Sequence, residues 1–126
     1  MAFDHEKLDV YREALSFVTW ASQFIASVSG KAAAKDQLDR ASTSVVLNIA
    51  EGNGKFSIRD RCRFLDIAYG SAVECVACLD VYVARQLAQP ADVEAGKESL
   101  KRIISMLVKL KASLLNRVSE EGVEYE

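Results

Sequence analysis

Apolar residues recur along most of this chain at the three- and four-residue intervals of amphipathic α-helices. Glycine and proline interrupt the pattern at Ser29-Gly30, Gly52-Asn53-Gly54 and Gln89-Pro90. The segments between these breaks predict helices at about residues 5–28, 31–51, 58–88 and 93–118, followed by an acidic tail at 119–126. Links of about three to six residues join antiparallel neighbours in helical bundles. We therefore predict an all-α, up-down-up-down four-helix bundle.

Local signals refine the helix ends. Ser57 is a good N-cap for the third helix, and Asp92 is the natural N-cap of the fourth. We expect Gly52 and Gly54 to supply left-handed conformations that end the second helix. Gly70 lies in mid-helix, off the apolar stripe, where glycine costs up to about 1 kcal/mol relative to alanine. Such a glycine is expected to have a packing reason.

The first predicted helix differs from the others in the width of its apolar face. Its apolar residues cover an arc of about 200°, whereas a core-facing stripe needs little more than about 100°. Trp20 projects outside that arc, among polar residues. A helix of this kind is expected to pack against something beyond its own bundle. Phe17, Trp20 and Phe24 are therefore the candidate oligomer interface.

The composition is that of one globular domain. The chain has 126 residues, of which 50% are apolar and 27% charged, and its net charge is −2. That balance argues against a dedicated nucleic-acid binder, although it does not show where the charges lie. No run approaches the roughly 18 apolar residues of a bilayer span, and Met1–Lys7 does not resemble a signal peptide. We expect reduced cysteines, a cytoplasmic location and no membrane partner.

Catalytic signals are weak throughout. His5, the one histidine, lies near the N-terminus, so a nucleophile activated by imidazole has poor support. Cys75 and Cys78 form a CxxC in mid-helix without a second ligand pair, which favours buried thiols over a metal or redox site. The run Gly52–Lys55 is compatible with a phosphate loop, but helix termination also explains both glycines. We predict no enzyme, no metal and no cofactor.

The charges are unevenly distributed. Residues 97–117 contain six basic residues and one acidic residue, a local charge of +5, and residues 55–63 carry +3. Such segments are suited to phosphate contacts, although a solvated helix face has the same composition. No exposed aromatic is expected among them to support base stacking. The candidate nucleic-acid-binding residues are Lys55, Arg59, Arg63, Arg102 and Lys109.

A polar series runs along one side of each central helix. It comprises Arg40, Ser44, Asn48 and Glu51 on the second helix, and Arg63, Gly70, Ser71 and Glu74 on the third. In an antiparallel pair, facing positions have a nearly constant sum. This arithmetic predicts ion pairs between Arg40 and Glu74 and between Glu51 and Arg63, on either side of a close contact at Gly70. These residues would then fix the register of the two helices.

The same stretch carries a family resemblance. The run Arg40–Lys55, with Asn48-Ile49-Ala50-Glu51-Gly52 at its centre, resembles the signature of the four-helix bundle proteins named for the 23S rRNA intervening sequence. The resemblance continues in Arg63-Phe64-Leu65, Gly70-Ser71 and Glu74, and Leu8-Asp9-Val10-Tyr11 is similar to that family's start. Val46 stands where many relatives carry proline.

The resemblance implies a bundle protomer that assembles into a ring, typically a pentamer. The similar accessory variability determinants of diversity-generating retroelements bind nucleic acid and a reverse transcriptase. We therefore expect a non-enzymatic homo-oligomer that serves as a binding or scaffold module for RNA, DNA or a nucleic-acid enzyme. The alternative is a protein–protein interaction module with no nucleic-acid role.

Overall fold

The computed structural model describes residues 3–29 and 32–121 and confirms the all-α four-helix bundle. Its helices are α1 Asp9–Ser27, α2 Ala32–Asn53, α3 Ile58–Ala84 and α4 Pro90–Glu121, with a short 3-10 helix at Asp4–Lys7. Helix α1 packs on α2 and α4, and α3 packs on the same two helices. Gly30 of the first predicted turn and residues 122–126 of the predicted tail lie outside the described residues.

The core is built from the predicted apolar stripes. Each helix points small and large apolar side chains inward at three- and four-residue spacing, which lets facing helices interlock. The largest fully buried apolar side chains are Phe17, Leu38, Ile49, Leu79, Tyr82, Leu100, Ile103 and Leu107. Burying an aliphatic or aromatic side chain of this size contributes roughly 1.5–3 kcal/mol. Hydrophobic packing of these side chains therefore stabilises the bundle.

Two predicted N-caps have different outcomes. Ser57 caps α3 as predicted, because its hydroxyl accepts a hydrogen bond of 3.1 Å from the backbone N–H of Asp60. Asp92 is not the N-cap of α4, since that helix already begins at Pro90. The Asp92 carboxylate lies in the first turn and accepts from the backbone N–H of Gln89 at 2.8 Å. Proline at the first helical position and an acidic residue two positions later are a favourable helix start.

Helix α3 ends four residues before its predicted end. The backbone N–H groups of Gln86 and Leu87 donate to the carbonyls of Val83 (3.0 Å) and Tyr82 (2.9 Å). This pair of bonds is a Schellman motif, which requires a left-handed residue. Gln86 fills that place with φ of 61°. Glycine or asparagine is usual there, so the sequence carries no signal for the end of α3.

The two glycines at the end of α2 do not have the predicted left-handed role: Gly52 lies in the last turn of the helix and Gly54 directly after it. Neither Gly52 nor Gly54 has a left-handed φ, which corrects the prediction. A Cβ on Gly52 would lie 2.8 Å from the Cβ of Phe64, so glycine is needed where α2 and α3 approach. No atom lies within 4 Å of a Cβ placed on Gly70. The predicted close contact at Gly70 is therefore wrong.

The aromatic residues of α1 are used within the bundle. Phe17 and Phe24 are only 1% and 6% exposed, so they pack against the neighbouring helices of the bundle. Trp20 stacks between them, with ring centroids 5.7 Å from Phe17 and 5.0 Å from Phe24. Its indole covers Gly96 of α4, where a Cβ would lie 2.4 Å from two indole carbons. Phe17 and Phe24 therefore offer no exposed surface for the predicted interface, whereas Trp20 is only partly buried. The wide apolar arc of α1 covers both α2 and α4.

Helix α3 presents an apolar face to solvent. By length and composition alone it could cross a membrane, with a mean hydropathy of 1.5, and 33% of that stretch is buried within the bundle. The prediction that no segment approaches a bilayer span overlooked this helix. Its outward residues Ile67, Val73 and Val81 are 45%, 44% and 42% exposed. A helix that is apolar on most sides is usually covered on most sides.

Candidate functional site

The link between α2 and α3 is fixed by hydrogen bonds from both helices. At the α2 end, the backbone N–H groups of Gly54 and Lys55 donate to the carbonyls of Glu51 (3.2 Å) and Gly52 (3.1 Å). From the α3 side, Nε of Arg61 donates to the carbonyl of Lys55 at 2.7 Å. The short link therefore holds a defined backbone conformation at one end of the bundle.

Three of the five predicted basic residues lie at this link. The Lys55 ammonium and the Arg63 guanidinium lie over the ring of Phe64, at 5.0 and 5.1 Å from its centroid. Cations over an aromatic face at this distance are attracted by the ring quadrupole. Arg59 is one turn before Arg63 on α3, so both project from the same side of that helix. We call Lys55, Arg59 and Arg63 the basic cluster.

An exposed aromatic residue lies inside the basic cluster, contrary to the sequence-based expectation. Phe56 follows Lys55 directly and is fully exposed, at 102% of its reference area. Asp60 is the acidic residue of this segment, and its carboxylate lies 3.7 Å from the Arg63 guanidinium. The cluster thus combines cations with a large apolar surface that no described residue covers.

The basic residues of α4 have different surroundings. Arg102 donates from Nε and a terminal nitrogen to the two carboxylate oxygens of Glu13, both at 3.2 Å. The Ser99 hydroxyl also donates to Glu13, at 2.7 Å. The hydrogen bond from Arg102 is the main reason that the pKa of Glu13 lies below its usual value. Arg102 therefore links α4 to α1, while its side chain stays 56% exposed, so its role in phosphate binding stays a prediction.

Two lysines of α4 are engaged in the same way with α3. Lys97 pairs with Asp80, and Lys111 pairs with Asp66 at 2.9 Å. Much of the positive charge of α4 is thus compensated across helix interfaces. Lys109 is exposed. It is seven residues from Arg102, a rise of about 10 Å along the helix. The structure does not bring the five predicted cations together as one surface.

The polar series of α2 and α3 forms hydrogen bonds in place of the predicted ion pairs. The hydroxyls of Ser44 and Ser71 share a hydrogen bond of 2.8 Å between the helices. Asn48 supports it by donating to the Ser44 carbonyl and hydroxyl, at 2.8 and 3.1 Å. The predicted pairing of Arg40 with Glu74 would set Ser44 opposite Gly70, so its contact with Ser71 is one position away. This contact pairs α2 and α3 close to the predicted register.

The predicted ionic partners are wrong. Arg40 pairs within α2 with Asp36, at 2.9 Å, and not with Glu74. Glu74 instead accepts a long hydrogen bond of 3.4 Å from Gln37. Arg63 pairs with Asp60 on its own helix, as described above. In each case a carboxylate three or four residues away on the same helix competes successfully with one on the neighbouring helix.

The thiols are protected by the core. Burial raises the pKa of Cys75 to about 12, and it also raises the pKa values of Cys62 and Cys78. Thiols of this kind are poor nucleophiles and poor metal ligands, because both roles require the thiolate. Across residues 3–29 and 32–121, no three His, Cys, Asp or Glu side chains converge as metal ligands.

An open cleft of about 650 Å³ lies at the bundle end opposite the α2–α3 link. Its lining combines aromatic and polar side chains, including Trp20, Phe24, Gln86 and Asp92. Asp92 is the titratable residue of this lining, and its carboxylate already accepts the backbone N–H of Gln89. Among the described residues of this lining, Asp92 has no second titratable group beside it to form the acid–base pair that hydrolytic chemistry uses.

Comparison with known proteins identifies the family. A family model described as 23S rRNA-intervening sequence protein matches residues 6–109. A solved structure of a protein of unknown function from the S23 ribosomal protein family of Bacteroides thetaiotaomicron has a TM-score of 0.75 to this chain. It is 21% identical and is covered over 97% of its length by 81% of this chain, so the likeness shows the fold. No curated protein matches the chain. Because the family model spans most of the sequence, the chain belongs to the 23S rRNA-intervening sequence protein family.

Proposed function

We propose that this protein is a non-enzymatic module that binds nucleic acid through the basic cluster at the α2–α3 link. The observation that carries the proposal is the grouping of Lys55, Arg59 and Arg63 around one short, hydrogen-bonded connection. Lysine and arginine bind phosphate oxygens and release counterions, which supplies most of the affinity of non-specific nucleic-acid binding. A local charge of +3 over residues 55–63 acts at short range despite the net charge of −2.

The geometry of the cluster also suits phosphate binding. Lys55 and Arg63 are held over the Phe64 ring, so less side-chain freedom is lost when they contact a ligand. The buried thiols and the cleft with its single carboxylate favour binding over catalysis.

Fluorescence anisotropy with labelled RNA tests this proposal. Binding should weaken as salt rises, and its log–log salt slope for a single strand reflects about 0.7 per neutralised phosphate. Combined Lys55→Gln, Arg59→Gln and Arg63→Gln should reduce that slope by roughly 2. Lys101→Gln is the matched control, since Lys101 is an exposed lysine on α4. Absence of salt-dependent binding, or an equal effect of the control, would contradict the proposal.

We also propose that the protein self-associates, and that the outer face of α3 is the contact surface. Ile67, Val73 and Val81 together expose a large apolar area on a helix whose hydropathy is typical of a helix covered on most sides. This face replaces the α1 surface that the sequence suggested. The pentamer implied by the family resemblance is the expected assembly.

Light scattering at several protein concentrations tests the assembly. Val81→Lys should reduce the molar mass, because it places a charge in an apolar contact. Leu15→Lys is a matched control on α1, since Leu15 and Val81 are both 42% exposed. A monomeric wild-type protein would contradict self-association. An assembly that withstands Val81→Lys but dissociates with Leu15→Lys would place the contact on α1.

A further inference from the structure

We propose that Phe56 is a base-stacking residue and that the basic cluster binds an unpaired nucleotide. This inference rests on the proposed nucleic-acid function and specifies its ligand as a single-stranded segment. Phe56 projects from the α2–α3 link with its whole ring exposed, directly beside Lys55 and three residues before Arg59. An exposed aromatic ring accompanied by cations is the combination that single-strand-binding proteins use, with stacking on the base and charge on the phosphates.

The exposure of Phe56 has no explanation within the bundle. The core is well filled without it, and burying a phenylalanine contributes roughly 1.5–3 kcal/mol that this side chain forgoes. The neighbouring aromatic, Phe64, shows the contrast: it lies against Gly52 and beneath two cations. Phe56 is thus the most exposed aromatic side chain at this end of the bundle.

The backbone on both sides of Phe56 is fixed before any ligand arrives. The Lys55 carbonyl accepts from Arg61, and the Ser57 hydroxyl accepts from the N–H of Asp60. The ring is therefore attached to a rigid link between two hydrogen-bonded residues. Because little backbone freedom remains to be lost, stacking on this ring costs less entropy than stacking on a flexible loop.

Charge decides between a nucleotide and an apolar protein surface as the ligand. Lys55 directly precedes Phe56, Arg59 and Arg63 follow it in the first turns of α3, and the carboxylate of Asp60 is directed to Arg63. An apolar partner would have to desolvate these cations, whereas a nucleotide presents a π-face and a phosphate together. A base in a continuous duplex is already stacked on both faces. The site therefore favours unpaired nucleotides of RNA or DNA.

Anisotropy with three labelled probes of roughly 12 nucleotides tests the inference: single-stranded RNA, single-stranded DNA and an RNA duplex. Phe56→Ala should weaken binding to a single strand by roughly 5- to 150-fold and leave duplex binding unchanged. Its salt slope should not change, because no phosphate contact is lost. The strand type that shows the loss identifies the ligand.

Conservative variants separate stacking from other roles of Phe56. Phe56→Trp should retain single-strand affinity, and its added indole should be quenched by a stacked base, whereas Phe56→Leu should behave like Phe56→Ala. Tyr69→Ala is the control, since Tyr69 is an exposed aromatic on α3, at 42%, ten residues beyond Arg59. Unchanged single-strand affinity in Phe56→Ala, with salt-dependent binding intact, would overturn stacking alone. Absence of salt-dependent binding by the wild-type protein would overturn the proposed function as well.

Discussion

Replacing Gly96 with alanine tests the packing of α1 on α4, because Trp20 occupies the space that a side chain would need. The new Cβ would lie 2.4 Å from two indole carbons and 2.8 Å from a third. Ordinary carbon contacts are about 3.5–4.0 Å, so the two groups overlap by more than about 1 Å. The indole cannot move away freely, since it stacks between Phe17 and Phe24.

The expected magnitude follows from two opposing terms. Overpacking of a filled core costs roughly 1–3 kcal/mol, and replacing glycine by alanine in a helix contributes about 1 kcal/mol. Gly96→Ala should therefore lower the free energy of unfolding by up to about 2 kcal/mol. The matched background is Trp20→Leu, in which the same alanine meets no indole and should be neutral or stabilising. The two backgrounds should differ by roughly 1–3 kcal/mol.

Urea denaturation followed by circular dichroism, at one protein concentration, measures these differences. Trp20 is the one tryptophan of the chain, so its emission also reports on the contact. A red shift in Gly96→Ala would show that the indole has moved toward water. Equal effects of the alanine with and without Trp20 would refute the assigned contact.

Three further predictions concern the helix end, one ion pair and the thiols. Gln86→Gly should raise the free energy of unfolding by about 0.5–1 kcal/mol, and with it the urea midpoint, because glycine adopts the left-handed conformation without a Cβ penalty. A lower midpoint would contradict the Schellman motif. Because the pKa of Glu13 is lowered in the folded protein, Glu13 stabilises the fold at pH values above its unfolded pKa of 4.5. This contribution is lost as the pH falls through the folded pKa. Glu13→Gln should therefore lower the free energy of unfolding by no more than about 1 kcal/mol near neutral pH, and by progressively less as the pH falls. Urea denaturation at several pH values measures this, and a loss that is the same at every pH would be inconsistent with the linkage. Burial should protect Cys62 and Cys75 from iodoacetamide at pH 8, so intact mass should show at most one adduct, on the half-buried Cys78, in the native protein and three adducts after unfolding; rapid native labelling of Cys75 would contradict its raised pKa.

Most of the bundle is predictable from the sequence, because its helices have clear apolar stripes and short links. The helix ends are less so. The end of α3 depends on a glutamine in a left-handed conformation, which no local signal marks. The start of α4 depends on whether the helix begins at Pro90 or only after Asp92, and the sequence is compatible with both. These outcomes are decided by backbone conformation at single residues.

The candidate site is predictable only where it is local. Arg59 and Arg63 are four residues apart on one helix, beside a turn that contains Lys55, so their grouping follows from spacing. The exposure of Phe56 does not, because it depends on how that turn leaves α2. The partner of Arg102 also could not be predicted, since Glu13 meets it only through the register of α1 against α4.

The same long-range register explains why the Trp20 indole packs within the bundle. On a helical wheel this residue lies among polar positions, which suggested a surface between protomers. The Trp20 indole packs against Gly96, which lies on the inward side of α4 and leaves room for it because it has no side chain. A glycine on an otherwise apolar stripe was the one available signal, and it indicates a large side chain opposite without identifying which one.

Ultraviolet crosslinking of the protein to single-stranded RNA, followed by tryptic digestion and mass spectrometry, tests the central claim most directly. Trypsin cuts after Lys55 and Arg59, so the peptide Phe56–Arg59 isolates the proposed stacking residue. The account predicts a nucleotide adduct on this peptide, reduced in Phe56→Leu and competed by unlabelled single strands. Adducts confined to peptides outside residues 54–63 would contradict it.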